Sequence, residues 1–283
     1  MGPDLEDIAT QDVWRALAPA FHIADAQYLA PQGAVAEVRR AEAAAGIDAE
    51  GYVHLPGLDL DAPWDAMAAV ARRLSEVGLD AVFVFVYDEF WRPYYRLDAL
   101  FRHLLGRYTF LPDFWAWDVD PKRRNEGWSI HRDRGRQSLR PDGSPISLTA
   151  WIAISQATRD NGCIRLVPKT ADRDYGTETE NAFRFREEDV RVLEAAPGDV
   201  IVWDQAVLHW GGKALAHAPH SRVSMSFEVQ RLDVPSTEAP LIAPGEIVPF
   251  EARLKLIGQK LLHYRHMHAI APALETLARR LAG

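Results

Sequence analysis

With 283 residues, 48% of them apolar, the chain has ample material for a sizeable core. Its 32 Lys plus Arg against 40 Asp plus Glu leave a net charge of −8, which argues against nonspecific binding to nucleic acid or to an anionic membrane. The single cysteine, Cys163, excludes an intramolecular disulfide and any multi-cysteine zinc site; it reads as a small buried hydrophobe in a reducing cytoplasm.

The N-terminal MGPDLEDIATQDVWRAL carries acids where a signal peptide needs a basic segment followed by an apolar one. No uninterrupted apolar run reaches membrane-spanning length, so a cytoplasmic protein with no membrane partner is expected. Residues Asp12 to Ala20 and Val35 to Ala45 are predicted helical, the second being rich in Ala, Glu and Arg. Gly51 to Gly57 reads as a short strand closed by Pro-Gly, and Trp64 to Val77 as a helix stopped by Gly78. The run Ala81 to Tyr87, β-branched and aromatic throughout, predicts a strand buried on both faces. Aromatic residues are then dense up to Trp117, either as core packing or as a pocket wall.

Beyond residue 127 the pattern is one of strands. Pro145 to Ser155 alternates polar and apolar residues, Thr158 to Gly162 suggests a hairpin turn, and Cys163 to Val167 a returning strand. Asp172 to Glu188 is polar and irregular, as a surface excursion would be. After the turn Pro197-Gly198-Asp199 come strands Val200 to Asp204 and Arg222 to Gln230. The latter sets Arg222, Ser224, Ser226, Glu228 and Gln230 on one wholly polar face, which fits the interior of a barrel or sandwich holding a polar site. Helices resume through Leu254 to His263 and Pro272 to Leu281. Without an internal repeat or a linker, one domain over 1–283 is preferred: a helix-rich support (1–120), a catalytic β-rich part (121–231) and C-terminal helices (250–283).

The chemistry is expected around Gly127-Trp128-Ser129-Ile130-His131-Arg132-Asp133. In an extended stretch, His131 and Asp133 emerge side by side while Arg132 points away, making a two-ligand claw for a metal. A second histidine completes a 2-His-1-carboxylate facial triad. His209 is the candidate, because an apolar strand delivers it and Gly211-Gly212 lets the backbone turn close by. Arg222, thirteen residues on, can grip a carboxylate through two parallel hydrogen bonds.

Leu148-Thr149-Ala150-Trp151-Ile152-Ala153-Ile154 and Asp160-Asn161-Gly162-Cys163-Ile164-Arg165-Leu166-Val167-Pro168, with the His-x-Asp before them and the Pro-Gly-Asp turn, distal histidine and arginine after them, resemble the phytanoyl-CoA dioxygenase family. The motifs lie between Gly127 and Arg231, and Gly51 to Gly57 resembles the family's early strand. That resemblance implies a mainly β fold, a double-stranded β-helix (jelly-roll, cupin-like) with packed N- and C-terminal helices. It also implies a non-heme dioxygenase that uses iron(II), 2-oxoglutarate and O2, releases succinate and CO2, and oxidises a small-molecule metabolite, with hydroxylation the expected outcome. His131, Asp133 and His209 would be the metal ligands and catalytic centre, Arg222 the clamp for the distal carboxylate of 2-oxoglutarate, and Trp151 a wall of the cosubstrate site. Ser224, two residues beyond Arg222 on the same face, is added from strand periodicity. The chain departs from the family at Lys169-Thr170-Ala171, where members commonly have Gly-Ser-His. Asp133 favours hydroxylation over halogenation, which in related enzymes needs a small residue at that position.

Two other readings keep the same fold: a cupin-like metal hydrolase, against which Arg222 speaks, and a non-catalytic small-molecule binding protein. His263, His266 and His268 form a rival metal cluster without a carboxylate partner. Arg123, Arg124, Arg132, Arg134, Arg136 and Arg140 flank the claw, so the substrate is expected to be anionic, meeting Arg134 or Arg136 beside Trp115 or Trp117, unless the cluster is simply a charged surface loop.

Overall fold

Residues Arg222–Arg231 (β8) show how the molecule is divided. Val223, Met225, Phe227 and Val229 are at most 1% exposed and join the main apolar core, whereas Arg222, Ser226 and Glu228 face a cavity on the other side. Phe227 meets the rings of Phe85, Trp91, Tyr94, Phe110 and Phe114 at 5.2–5.9 Å. Burying such a side chain contributes roughly 1.5–3 kcal/mol.

The computed structural model describes residues 7–30, 35, 37–122 and 127–283. In chain order they form α1 (Gln11–Leu17), α2 (Ala26–Leu29), α3 (Glu37–Glu50), β1 (Tyr52–Leu55), α4 (Trp64–Glu76), a 3-10 helix (Ala81–Val86), α5 (Arg92–Arg96), α6 (Asp98–Leu105) and β2 (Tyr108–Val119). There follow β3 (Ser147–Ala153), β4 (Ile164–Val167), β5 (Arg191–Leu193), β6 (Val200–Asp204), β7 (Leu208–Gly211), then β8, α7 (Phe250–Tyr264) and α8 (Pro272–Ala282). The strands make a five-stranded sheet in the order β1-β6-β3-β8-β2 and a three-stranded sheet β5-β4-β7, with antiparallel pairing throughout. This is the expected mainly β architecture of jelly-roll type, with helices against the outer face of the larger sheet. Alternation on β3 divides it as on β8: Leu148, Ala150 and Ile152 enter the helix-covered core, while Trp151 and Ala153 belong to a second cluster with Ile164, Ile201 and Trp203.

Three local expectations are corrected. Ala81–Val86 is a 3-10 helix, not a strand: a continuous apolar run has no periodicity to tell the two apart, and every side chain here is buried, with Asp80 capping the start by accepting from the Val82 N–H at 2.9 Å. The turn at Asn161-Gly162 is real, with Gly162 at φ +91°, but it carries the chain from β3 in one sheet to β4 in the other instead of closing a hairpin. The excursion over 172–188 is irregular yet partly inward, since Asp172 and Asp174 are buried.

The helical layer is tied together by a fully buried ion pair. The Arg253 Nη2 of α7 lies 2.6 Å from Asp88, whose two oxygens accept from the Ala24 and Asp25 N–H groups. The layer thus joins the N-terminal segment to the C-terminal helix behind the sheet.

Candidate metal centre

His131 and Asp133 do not lie on a regular strand. The claw stretch pairs with β7 at a single bridge, in which the His131 and His209 N–H groups each donate to the other's carbonyl at 3.0 Å. Backbone pairing therefore sets the two imidazoles side by side, with ring centroids 4.3 Å apart. The approach depends on glycine: a Cβ on Gly127 would stand 2.6 Å from the Cα of Gly211.

One ligand atom from each of His131, Asp133 and His209 lies within 4.8 Å of the others, and among the described residues this is the one group of three or more such side chains able to hold a metal ion. Nδ1 of His131 lies 2.6 Å from the Ser129 carbonyl oxygen and Nδ1 of His209 lies 3.1 Å from that of Val207. A carbonyl only accepts, so each Nδ1 carries the proton and each Nε2 turns a lone pair inward. His131 Nε2 is buried without a hydrogen-bond partner. Asp133 is oriented the same way: the Thr149 hydroxyl at 2.7 Å and the Trp203 indole N–H at 2.9 Å both donate to Oδ2, leaving Oδ1 3.4 Å from each histidine Nε2. Gln205 extends the support, its Nε2 donating to Thr149 Oγ1 at 3.1 Å while its Oε1 accepts from Ser147. Burial pushes the His209 pKa down to about 4, the neighbouring His131 adding to the effect and Asp133 opposing it. Burial would raise the Asp133 carboxyl, but the neighbouring His209 and His131 and the Thr149 hydroxyl outweigh it and hold it below the usual range. Neutral imidazoles and an ionised carboxylate are the protonation states a metal requires.

The triad opens onto a cavity walled by Trp115, Trp117, Trp128, Trp151 and Trp203. Arg222 also lines it, and its side chain is fully buried. Among the described residues no carboxylate pairs with this guanidinium: Nη1 donates to Ser224 Oγ, Nε has no partner, and Cζ lies 5.9 Å from the Trp151 ring. Burial lowers the Arg222 pKa to about 10, with Cys163 and Asp118 opposing. A cation buried in this way calls for an anion from outside. The indole N–H groups of Trp117, Trp128 and Trp151 are likewise buried without partners.

A profile of the phytanoyl-CoA dioxygenase family matches residues 28–219. The chain belongs to that family. It is an iron(II)- and 2-oxoglutarate-dependent non-heme oxygenase. The metal hydrolase and the non-catalytic binder are thereby set aside. None of the curated proteins searched matches the chain. Solved structures with this fold include the α-ketoglutarate-dependent epimerase SnoN from nogalamycin biosynthesis (22% identity, TM-score 0.50, covering 72% of this chain and 93% of that one). The carbocyclase SnoK from the same biosynthesis has 17% identity and a TM-score of 0.52, covering 75% and 99%. The non-heme monooxygenase ThoJ has 15% identity and a TM-score of 0.55, covering 84% and 98%.

Of the other residues singled out by sequence, Trp115, Trp117, Trp151 and Arg222 line the cavity, and Ser224 stands behind Arg222. Arg134 and Arg136 are not among its lining residues. The Arg134 guanidinium lies 2.9 Å from Glu228, 3.7 Å from Asp113 and 3.6 Å from Glu238; burial would lower its pKa, but these carboxylates hold it above the usual value. Arg136 is exposed beside Glu178, Arg140 pairs with Asp233, and Arg123 and Arg124 lie outside the described residues. Arg132 is buried, pairing with Asp172 at 2.7 Å and donating to the Glu180 and Ala206 carbonyls, so it ties the 172–188 excursion to the back of the claw. The rival histidines do not converge: His268 bonds Asp80, and the His263 and His266 rings are 6.3 Å apart. Where the family motif has Gly-Ser-His, the Lys169 amine donates to the Ile47 carbonyl and Thr170 bonds Glu50, packing this segment on α3. Sequence reasoning missed Thr149 and Trp203 as supports of Asp133. Strand parity was the available signal, since Thr149 shares a face with Trp151, and Trp203 with Ile201.

No helix among the described residues is long and apolar enough to cross a membrane.

Proposed function

We propose that His131, Asp133 and His209 hold the iron, that Arg222 and Trp151 receive the distal carboxylate of 2-oxoglutarate, and that the enzyme hydroxylates a small-molecule substrate held in the tryptophan-walled cavity. The observation that carries this reading is the convergence of three ligand atoms within 4.8 Å, each side chain tied back at its far end and aimed at one point. When bound, iron(II) with 2-oxoglutarate and O2 supplies an oxidant for a substrate carbon and releases succinate and CO2.

The chain's own residues prepare that event. The Ser129 and Val207 carbonyls keep both histidines in the tautomer that coordinates through Nε2. Thr149 and Trp203 fix the carboxylate so that one oxygen points inward. Ser224, bonded to Arg222, aims the guanidinium into the cavity and so serves the cosubstrate indirectly. The tryptophan walls give the cavity a largely apolar lining beside the triad. A carboxylate at position 133 occupies the place a halide would need, which supports hydroxylation. The lining does not support an anionic substrate gripped by Arg134 or Arg136, because the first is already engaged by carboxylates and the second faces solvent.

The assignment is tested by titrating iron(II) and then 2-oxoglutarate into the protein under anaerobic conditions, followed by succinate release on admitting O2. One equivalent of iron should bind, and D133A and H209A should lose it while keeping their circular dichroism. Unchanged iron binding in both variants would overturn the ligand assignment.

A further inference from the structure

The two ends of the cavity differ in charge. Arg222 and Glu228 are six residues apart on the inward face of β8, on the order of 20 Å along the strand. At the Glu228 end the Asp113 carboxylate also lines the cavity and accepts from the Tyr264 hydroxyl, and the Tyr264 ring packs with those of Trp115 and Trp128, with centroids 4.4–5.7 Å apart. Among the described lining residues no cation stands at this end. The balancing cations come from outside the lining: Arg134 on Glu228, and Lys260 of α7 at 3.3 Å from Asp113. With Glu238 at 3.6 Å from Arg134 as well, two cations are shared among three carboxyl groups. The other end balances by itself: iron(II), ionised Asp133, doubly anionic 2-oxoglutarate and Arg222 sum to zero.

We propose that the primary substrate carries a protonated amine, received at the Asp113–Glu228 end of the cavity against the rings of Trp115, Trp128 and Tyr264. This rests on the metal and cosubstrate assignment above for the direction in which the substrate faces the iron. Two properties of the site select an ammonium group. Its carboxyl groups supply acceptors for an ammonium N–H, and its aromatic faces carry the negative side of the ring quadrupole toward the ligand. Burial together with Asp113 pushes the Glu228 carboxyl up to about 8, so an arriving cation also relieves an ionisation that the empty site disfavours. An anion would meet the opposite on each count.

The test needs no knowledge of the natural substrate. Binding of 2-phenylethylamine, of its neutral counterpart 2-phenylethanol and of the anion 3-phenylpropanoate is followed by quenching of tryptophan fluorescence. The protein is saturated with 2-oxoglutarate, with and without iron(II), in the absence of O2. The amine is expected to bind about tenfold or more tighter than the alcohol, equivalent to about 1.4 kcal/mol, and the anion weakest. E228Q and D113N should each reduce the amine toward the alcohol while leaving the alcohol unchanged. Equal or tighter binding of alcohol or anion, or no saturable binding of the amine, would overturn the proposal; the wild-type comparison decides this even if a variant fails to fold. The metal-free arm separates the two readings, since an amine preference there survives a failed iron assignment, and a failed preference leaves iron and 2-oxoglutarate binding intact.

Discussion

Replacing Trp203 with phenylalanine isolates what the protein does for its metal beyond supplying ligands. Trp203 is 2% exposed on β6, and its indole N–H is one of two donors to Oδ2 of Asp133, at 2.9 Å. Phenylalanine keeps a ring against His209, whose centroid is 4.6 Å from that of Trp203, and removes the donor. A hydrogen bond to a charged group is worth about 1.5–3 kcal/mol. Losing an outer partner of a metal ligand typically weakens metal affinity about 10–100-fold, in agreement with that range. The smaller ring also leaves a cavity, so a loss of roughly 1–3 kcal/mol in stability is expected. At about 2–4 °C per kcal/mol, this leaves the protein folded at room temperature. Anaerobic calorimetric titration of iron(II) should therefore show W203F binding about 10–100-fold more weakly at unchanged stoichiometry. T149V removes the other donor, at 2.7 Å, and deprives Gln205 Nε2 of its acceptor, so it should behave alike. The double variant should lose more than the sum, because Oδ2 then sits buried with no donor. Iron affinity in W203F within twofold of wild type would refute the reasoning.

Three further outcomes follow from the same geometry. R222L should weaken 2-oxoglutarate about 30-fold or more with iron affinity nearly unchanged, and R222K should recover only part of the loss, because an ammonium cannot make two parallel hydrogen bonds; calorimetry on the iron-loaded protein reads both. R132Q leaves the fully buried Asp172 side chain without its cation, which typically costs about 3–5 kcal/mol, so thermal unfolding should shift down by about 6–20 °C and proteolysis should begin within 172–188. Cys163 is buried, and burial pushes its thiol up to about 11. A raised thiol pKa means less thiolate at any lower pH, about one part in a thousand at pH 8, so iodoacetamide should label the native protein negligibly and the urea-unfolded protein readily.

Much of the site was legible because strand alternation is a strict local rule. The polar parity of Arg222 to Gln230 told which way Arg222 and Glu228 would face once the opposite parity was buried under helices. His131, Asp133 and His209 were readable from residue type, order and family motif. Ala81–Val86 was misread because a uniformly apolar segment encodes burial but not period. The arginines around the claw were misread for a different reason. Charge composition tells how many cations are near in sequence, and Arg134 was already engaged by Asp113, Glu228 and Glu238, the last of these more than a hundred residues away.

The sequence by itself therefore determined the candidate ligand set, the arginine proposed as clamp, the family and the faces of the strands, since these follow from residue identity and from a backbone period that is the same in any sheet. Only the tertiary structure decided the tautomers of the two histidines, the donors that orient Asp133, the inward turn of Arg132 and the acidic, aromatic end of the cavity. Each depends on which distant segments share a few ångströms, and hydrogen bonds and ion pairs act at that range while carrying no mark in the local order of residues.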